Sequence, residues 1–240
     1  MTLVISTERS EWRNLMPMNK MILYKEWLKT RWLLLGILVA MAALTFYCFL
    51  NLAKVVEFRG AGLLWEALVT KETVLTEILR YVPAIAGALL ALGQFIPEIQ
   101  HKRLKLTLHL PYPQGRMLLA IAVYGLTALT LLYALQACAS AWILSAWVPG
   151  ELVTRVLKTM AVWYLAGWAG YLFTSALCLE PTWRFRVLIL LVAAGLLRLL
   201  YLSGIPEAYN GIFPWLLLYV AASAGLLFAG VARFKEGLQD

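Results

Sequence analysis

The chain has 240 residues, of which 62% are hydrophobic and 14% are charged, and its formal net charge is +8. Soluble domains carry about 25% charged residues, so the composition excludes an ordinary soluble fold and predicts a membrane protein. A positive charge is also typical of nucleic-acid-binding proteins. Here the basic residues follow a membrane topology instead, and no nucleic-acid partner is expected.

The N-terminal region divides into two parts. Residues 1–17 are polar and charged where a secretory signal peptide would have an apolar core, and we expect a disordered extension. A second methionine, Met18, is an alternative start of translation. Residues 19–31 mix apolar and basic side chains, a pattern that predicts an amphipathic interfacial (elbow) helix. This helix is a membrane anchor and topology signal, an element that flanks a docking site, or both at once.

Six apolar stretches reach or approach the roughly 20 residues that a membrane-crossing helix needs. We therefore predict an all-α membrane protein in which residues 18–240 form one domain of six transmembrane helices, preceded by the interfacial helix. The stretches are residues 32–52, 74–96, 117–148, 159–179, 187–205 and 211–232.

Two of these stretches are imperfect spans. The third has no charged residue over 32 positions, which at about 1.5 Å per residue exceeds a ~30 Å hydrocarbon core, and we expect one tilted or protruding helix. The fifth contains Arg198. Its side chain either snorkels to the interface, pairs with Glu207 in the next loop, or has a functional role.

The basic residues are distributed unequally between the two sides of the predicted bundle. The side that receives both termini carries fourteen lysines and arginines, and the other side carries seven. Cytoplasmic loops are enriched in basic residues. Both termini are therefore predicted to be cytoplasmic, and the positive charge is mainly a topology signal.

Small residues recur at intervals of about four in the second and last predicted spans. Such spacing lets helices approach closely in a bilayer, either inside one bundle or at a dimer seam. The residues are Ala84, Gly87, Ala88 and Ala91 in the second span and Ala221, Gly225 and Ala229 in the last.

Groups that would support catalysis or metal binding are missing from the predicted spans. Cys48, Cys138 and Cys178 fall inside spans without disulfide or metal-ligand spacing, so we expect them to pack among apolar side chains. His101 and His109 share one loop, and no phosphate-binding GxxxxGKS or GxxxxGKT motif occurs. The sequence predicts neither an enzyme nor a cofactor bound by this chain.

A compact basic segment separates the second and third spans. Residues 94–116 read QFIPEIQHKRLKLTLHLPYPQGR. An ordinary cytoplasmic loop explains the charges of this segment but not its four alternating leucines. A period of two is typical of a strand, whereas a helix would pair Leu104 with Leu108 and Leu106 with Leu110.

This segment resembles the coupling region of the ABC type-2 permeases, the membrane subunits of type V ATP-binding-cassette exporters. In that family a glutamate is followed by basic residues, Gly-Thr-Leu, several leucines and Pro-x-Ser-Arg, and the region is helical. Residues 103–106 replace the glycine-containing entry, and residues 114–115 stand in for the serine. The matching residues are Glu98, Thr107, Leu108, Leu110, Pro111 and Arg116.

The resemblance implies a function and partners. The chain would be the permease subunit of an exporter in the cytoplasmic (inner) membrane of a bacterium. It would pair with a second permease chain, identical or different, and with an ATPase subunit that holds ATP and Mg²⁺. The alternative is a non-transporting mechanotransmission or scaffold subunit that acts on an extracytoplasmic partner, for example in copper-site maturation.

Residues 97–113 would be the coupling segment of such a permease. The resemblance leaves the transported substrate open. The residues expected to dock on the ATPase are Glu98, His101, Lys102, Arg103, Leu104, Lys105, Leu106, Thr107, Leu108, His109, Leu110, Pro111 and Arg116.

Overall fold

The computed structural model describes residues 2–59, 79–100, 114–146, 148–203 and 207–227, with most side chains from Lys20 onward. These residues form helices and short turns, with no strand among them, which confirms the all-α class. The helices are α1 (Thr2–Arg59), α2 (Val82–Gln100), α3 (Gln114–Ser145), α4 (Gly150–Leu179), α5 (Trp183–Leu200) and α6 (Phe213–Ser223).

Four of these helices are long and apolar enough to cross a membrane, which indicates a multi-pass membrane protein. α5 and the shorter apolar stretch Phe213–Leu227 lie where the fifth and sixth spans are predicted. The count of six spans and the side of the termini stay predictions. The four spanning parts are Lys20–Asn51, Val82–Ile99, Met117–Ser145 and Gly150–Leu179.

α1 joins segments that were predicted to be separate. Residues 19–31, predicted as an interfacial helix, continue into the first span without a break, and residues 2–17, predicted to be disordered, are helical. From Met18 to Arg59 the chain has no proline and a single glycine, Gly36, so no proline removes a backbone hydrogen bond. The elbow is therefore the early part of a 58-residue helix and not an element of its own.

The third and fourth spans differ in how well their bounds were predicted. α3 is one continuous helix of 32 residues, as expected for the long uncharged stretch. α4 begins at Gly150, well before the predicted start at residue 159. Pro149 precedes the helix and Glu151 lies in its first turn, both of which favour a helix start. Charged residues in the first turns separate this start from the apolar stretch that predicts the span.

α4 is the central helix of the bundle. It contacts α2, α3, α5 and α6. In its most apolar 18-residue stretch 72% of the residues are buried, against 28% to 44% in the corresponding stretches of the other three long helices. Its buried face includes Ala166, Gly167, Ala169 and Gly170, and such small residues let neighbouring helices approach closely in a membrane.

α2 and α4 touch through their backbones. A methyl group added at Gly87 would collide with the carbonyl oxygen of Gly167, and one added at Gly170 would lie 2.9 Å from the carbonyl oxygen of Ala84. The small residues of the second span therefore pack inside the bundle, the first of the two alternatives for them.

Other small residues and one cysteine are less buried than an interior position requires. Ala221 and Gly225 of the last span are exposed, and Ala229 lies outside the described residues. Packing among apolar neighbours was predicted for all three cysteines, and it fails for one of them. The free cysteines are Cys48, which is buried, Cys178, which is half-buried, and Cys138, which is exposed.

Glu207 is bonded to α4. Its carboxylate lies 3.2 Å from Lys158 Nζ and 3.9 Å from Arg155 Nε, and its backbone N–H donates to Thr159 Oγ1 at 3.3 Å. The hydrogen bond from Lys158 holds the pKa of Glu207 below its usual range. Of the three alternatives for Arg198, the pairing with Glu207 is therefore not the one observed, and Arg198 is exposed on α5.

Gly87→Leu is expected to lower the melting temperature of the detergent-purified protein by several degrees. Overpacking costs about 1–3 kcal/mol, and here a backbone would have to move because the colliding atom is a carbonyl oxygen. Gly195→Leu is the matched control, since a methyl group added at Gly195 meets nothing within 4 Å. Equal melting temperatures for the two variants would show that α2 and α4 do not pack through Gly87.

Candidate functional site

Seven side chains from the first four helices form a buried polar cluster at one end of the bundle. Both of its carboxylates are buried, Glu26 at 0% and Glu98 at 3% exposure. A buried charge is costly unless it is paired, so the partners of these carboxylates determine the local structure. The buried polar cluster consists of Glu26, Lys29 and Thr30 from α1, Gln94 and Glu98 from α2, Tyr124 from α3 and Tyr171 from α4.

Lys29 lies at the centre of this cluster. Its ammonium group donates to Glu26 Oε1 at 2.8 Å, to the backbone oxygen of Gln94 at 2.9 Å and to Glu98 Oε1 at 3.2 Å. An ammonium group has three donors, so Lys29 is fully satisfied, and two of its partners belong to α2. Lys25 adds an ion pair to Glu98 Oε1 at 2.8 Å from the rim, where its side chain is 43% exposed.

Gln94 extends the network from α1 to α4. Its amide nitrogen donates to Glu26 Oε2 at 3.2 Å, and its amide oxygen accepts from the Tyr171 hydroxyl at 2.7 Å. Both ends of the amide are used, so the partners fix its orientation. A methyl group added at Gly125 of α3 would lie 2.6 Å from this amide oxygen. The close passage of α3 therefore requires glycine at this position.

Thr30 connects α1 to α3. Its hydroxyl donates to the backbone oxygen of Glu26 at 2.8 Å and lies 2.8 Å from the Tyr124 hydroxyl. Because the threonine proton is used by Glu26, the tyrosine is the donor in the second bond. At this level of the bundle α1 is thus bonded to α2 and α3, and α2 is bonded to α4.

The formal charges of the cluster cancel when Lys25 is included, since two carboxylates face two ammonium groups. The attraction between opposite charges is strong where water is excluded. Among the described residues there is no group of three or more His, Cys, Asp and Glu side chains that could hold a metal ion. The arrangement is suited to fixing helices relative to one another.

Arg80 holds the opposite end of α2. Its guanidinium group donates to the backbone oxygens of Tyr201 and, at 3.3 Å, of Ser203. These oxygens follow the C-terminal end of α5, where a cation is favoured by the helix dipole. The guanidinium carbon also lies 5.8 Å from the ring of Tyr81 and 5.5 Å from that of Tyr201. α2 is therefore tied to α5 before its start and to α1 and α4 near its end.

Most of the predicted docking residues lie between α2 and α3, outside the described residues. α2 ends at Gln100 and α3 begins at Gln114. Arg116 is in the first turn of α3, and its side chain is not among those described. Glu98 is buried and paired inside the bundle, so we assign it to the buried polar cluster and not to a docking surface. The docking residues outside the described part are His101, Lys102, Arg103, Leu104, Lys105, Leu106, Thr107, Leu108, His109, Leu110 and Pro111.

No sequence motif singles out Glu26, Gln94 or Tyr171. The sequence does contain an electrostatic indication of the cluster, which is the isolation of its two acidic residues. Glu26 is the one acidic residue between positions 19 and 56, within a basic and apolar segment, and Glu98 stands alone at the end of the next span. Isolated acids beside membrane spans need cations nearby. The lysines of the same region are the nearest candidates for these cations.

No family model, curated protein or solved structure matches the chain. We therefore base the proposed function on two features. They are the geometry of the buried polar cluster and the sequence of residues 97–113.

Lys29→Met is expected to lower the free energy of unfolding by about 3–5 kcal/mol, because it leaves two buried carboxylates without their main cation. Lys25→Met removes an ion pair to the same Glu98 oxygen from a half-exposed position and should cost at most about 1 kcal/mol. The unfolding of both variants in mixed detergent micelles is monitored by circular dichroism. The difference between their free energies of unfolding is the quantity measured. Equal costs would contradict the central place of Lys29.

Proposed function

We propose that the chain is the transmembrane permease subunit of an ATP-binding-cassette exporter in a bacterial inner membrane. A separate ATPase subunit binds Mg²⁺ and hydrolyses ATP, and two permease chains form the transport pathway. The proposal includes six spans with both termini in the cytoplasm. It is supported by the resemblance of residues 97–113 to a coupling region and by the contacts at the end of α2.

One observation carries the proposal, the double pairing of Glu98 with Lys25 and Lys29. Glu98 lies in the last turn of α2, which ends at Gln100, and the main part of the proposed coupling segment follows directly. A displacement of that segment would reach α1 through the ion pairs and α4 through Gln94. A permease needs such a connection to convert closure of its ATPases into movement of its helices.

The position of Glu98 also affects how the ATPase would be bound. Since Glu98 is occupied inside the bundle, docking depends on residues 101–113. A fully buried leucine contributes roughly 1.5–3 kcal/mol, whereas an exposed ion pair contributes about 0–1 kcal/mol. We therefore assign the main docking contribution to the four leucines of this segment and a smaller one to its basic residues.

Leu104→Asp and Leu108→Asp are each expected to reduce co-purification of the ATPase about tenfold or more, because each removes at least ~1.5 kcal/mol of apolar contact. Lys102→Ala and Lys105→Ala should reduce it by less than about fivefold. Co-purification is measured at matched expression, together with ATP hydrolysis in the same membranes.

A segment that served only as a topology loop would give the opposite order, since loss of positive charge would disturb orientation and loss of leucine would not. Full ATPase binding and coupling in both leucine variants would contradict the docking role. Failure of the unaltered chain to recover any ATPase would contradict the exporter proposal as a whole.

A further inference from the structure

A groove of about 620 Å³ lies between α1 and α3 on the surface of the bundle. One end is lined by Trp27, Arg31, Trp32 and Tyr124, and the rest mainly by leucines. Trp32 is 71% exposed and Leu131 is 67% exposed. In a membrane this groove is therefore open to lipid.

The groove has about the length of one membrane leaflet. Along α3 it extends from Tyr124 to Leu135, which is about 16 Å at 1.5 Å per residue. Half of a ~30 Å hydrocarbon core is about 15 Å. Aromatic and basic side chains are typical of the membrane interface. The end that contains Arg31 therefore matches a headgroup region, and the leucine-lined part matches an acyl chain.

Arg31 gives this end of the groove a positive charge that its lining does not neutralise. No acidic residue lines the groove, and the acid closest in sequence, Glu26, is bonded to Lys29 and Gln94. The Arg31 guanidinium carbon lies 5.6 Å from the centre of the Trp32 ring. Stacking uses the face of a guanidinium group and leaves its in-plane N–H donors for a phosphate.

A second groove, between α1 and α2, provides a comparison. It has a volume of about 390 Å³, and its lining is entirely apolar, with Gly36 and Ala40 among its residues. Nothing in that lining would bind a charged headgroup. The two grooves therefore differ in the arginine and the aromatic side chains at one end.

We propose that the groove between α1 and α3 binds one anionic phospholipid, with its phosphate at Arg31 and an acyl chain along the leucines of both helices. The phosphate accepts charge-assisted hydrogen bonds from the guanidinium group, and Trp27 and Trp32 lie at the level of the glycerol. The inference requires only that α1 and α3 cross the membrane. It does not depend on the exporter proposal.

The headgroup contact is tested by titrating the purified protein with phosphatidylglycerol and with phosphatidylcholine of the same acyl chains, with bound lipid counted by native mass spectrometry. We expect one phosphatidylglycerol to bind more tightly than phosphatidylcholine. Arg31→Gln should weaken phosphatidylglycerol binding about fivefold, since one basic side chain near headgroups contributes about 1 kcal/mol. Arg184→Gln, at an exposed arginine outside the groove, should change nothing.

The acyl-chain contact is tested with two tryptophan variants. Thr127→Trp fills the proposed groove, and Ala40→Trp places the same side chain in the apolar groove between α1 and α2. Only Thr127→Trp should reduce binding of both lipids. Equal affinity for the two lipids, no loss in Arg31→Gln, or equal losses in the two tryptophan variants would each overturn the proposal.

A second copy of the chain is the other occupant that the measurement detects. If the unaltered protein has twice the mass of one chain, and Thr127→Trp halves that mass without changing lipid binding, the groove is an interface between copies. That result would also overturn the lipid site.

Discussion

The pairing of the Lys29 ammonium group with two buried carboxylates is the interaction on which the arrangement of the first four helices depends. It neutralises Glu26 on its own helix and Glu98 on α2, and so it permits both carboxylates to be buried. Gln94 then carries the same network to Tyr171 on α4. In a bilayer, apolar side chains gain little by exchanging lipid for one another. Polar contacts and close packing therefore decide where one helix lies against the next.

Packing acts between the polar contacts at the two ends of α2. At Gly87 the α2 backbone packs against Gly167 on α4. Arg80, just before the N-terminal end of α2, donates a hydrogen bond to the backbone that follows α5. A force on the C-terminal end of α2 would therefore act on α1 and α4 together.

The two sides of α1 have different surroundings. Lys29 and Arg31 are two positions apart, about 200° around a helix of 3.6 residues per turn, so one faces the bundle and the other faces lipid.

The helical class and most helix positions could be predicted from the sequence, because an apolar run long enough to cross a bilayer is a local property. The start of α4 could not, since Arg155 and Lys158 interrupt its hydropathy and meet Glu207 only in the folded chain. The pairing of Lys29 with Glu98 joins residues 69 positions apart. No local pattern contains such a pair, because it depends on which helices become neighbours.

A double-mutant cycle on Lys29 and Glu98 tests most directly whether this pair holds α1 against α2. The free energy of unfolding in mixed micelles is measured for the unaltered chain, Lys29→Met, Glu98→Gln and the double variant. Coupled residues show interaction energies of about 0.5–3 kcal/mol, and we expect at least about 1 kcal/mol here, with the double variant less destabilised than the sum of the single ones. Additive effects within about 0.3–0.5 kcal/mol would show that the two side chains act independently and would contradict the central role of Lys29.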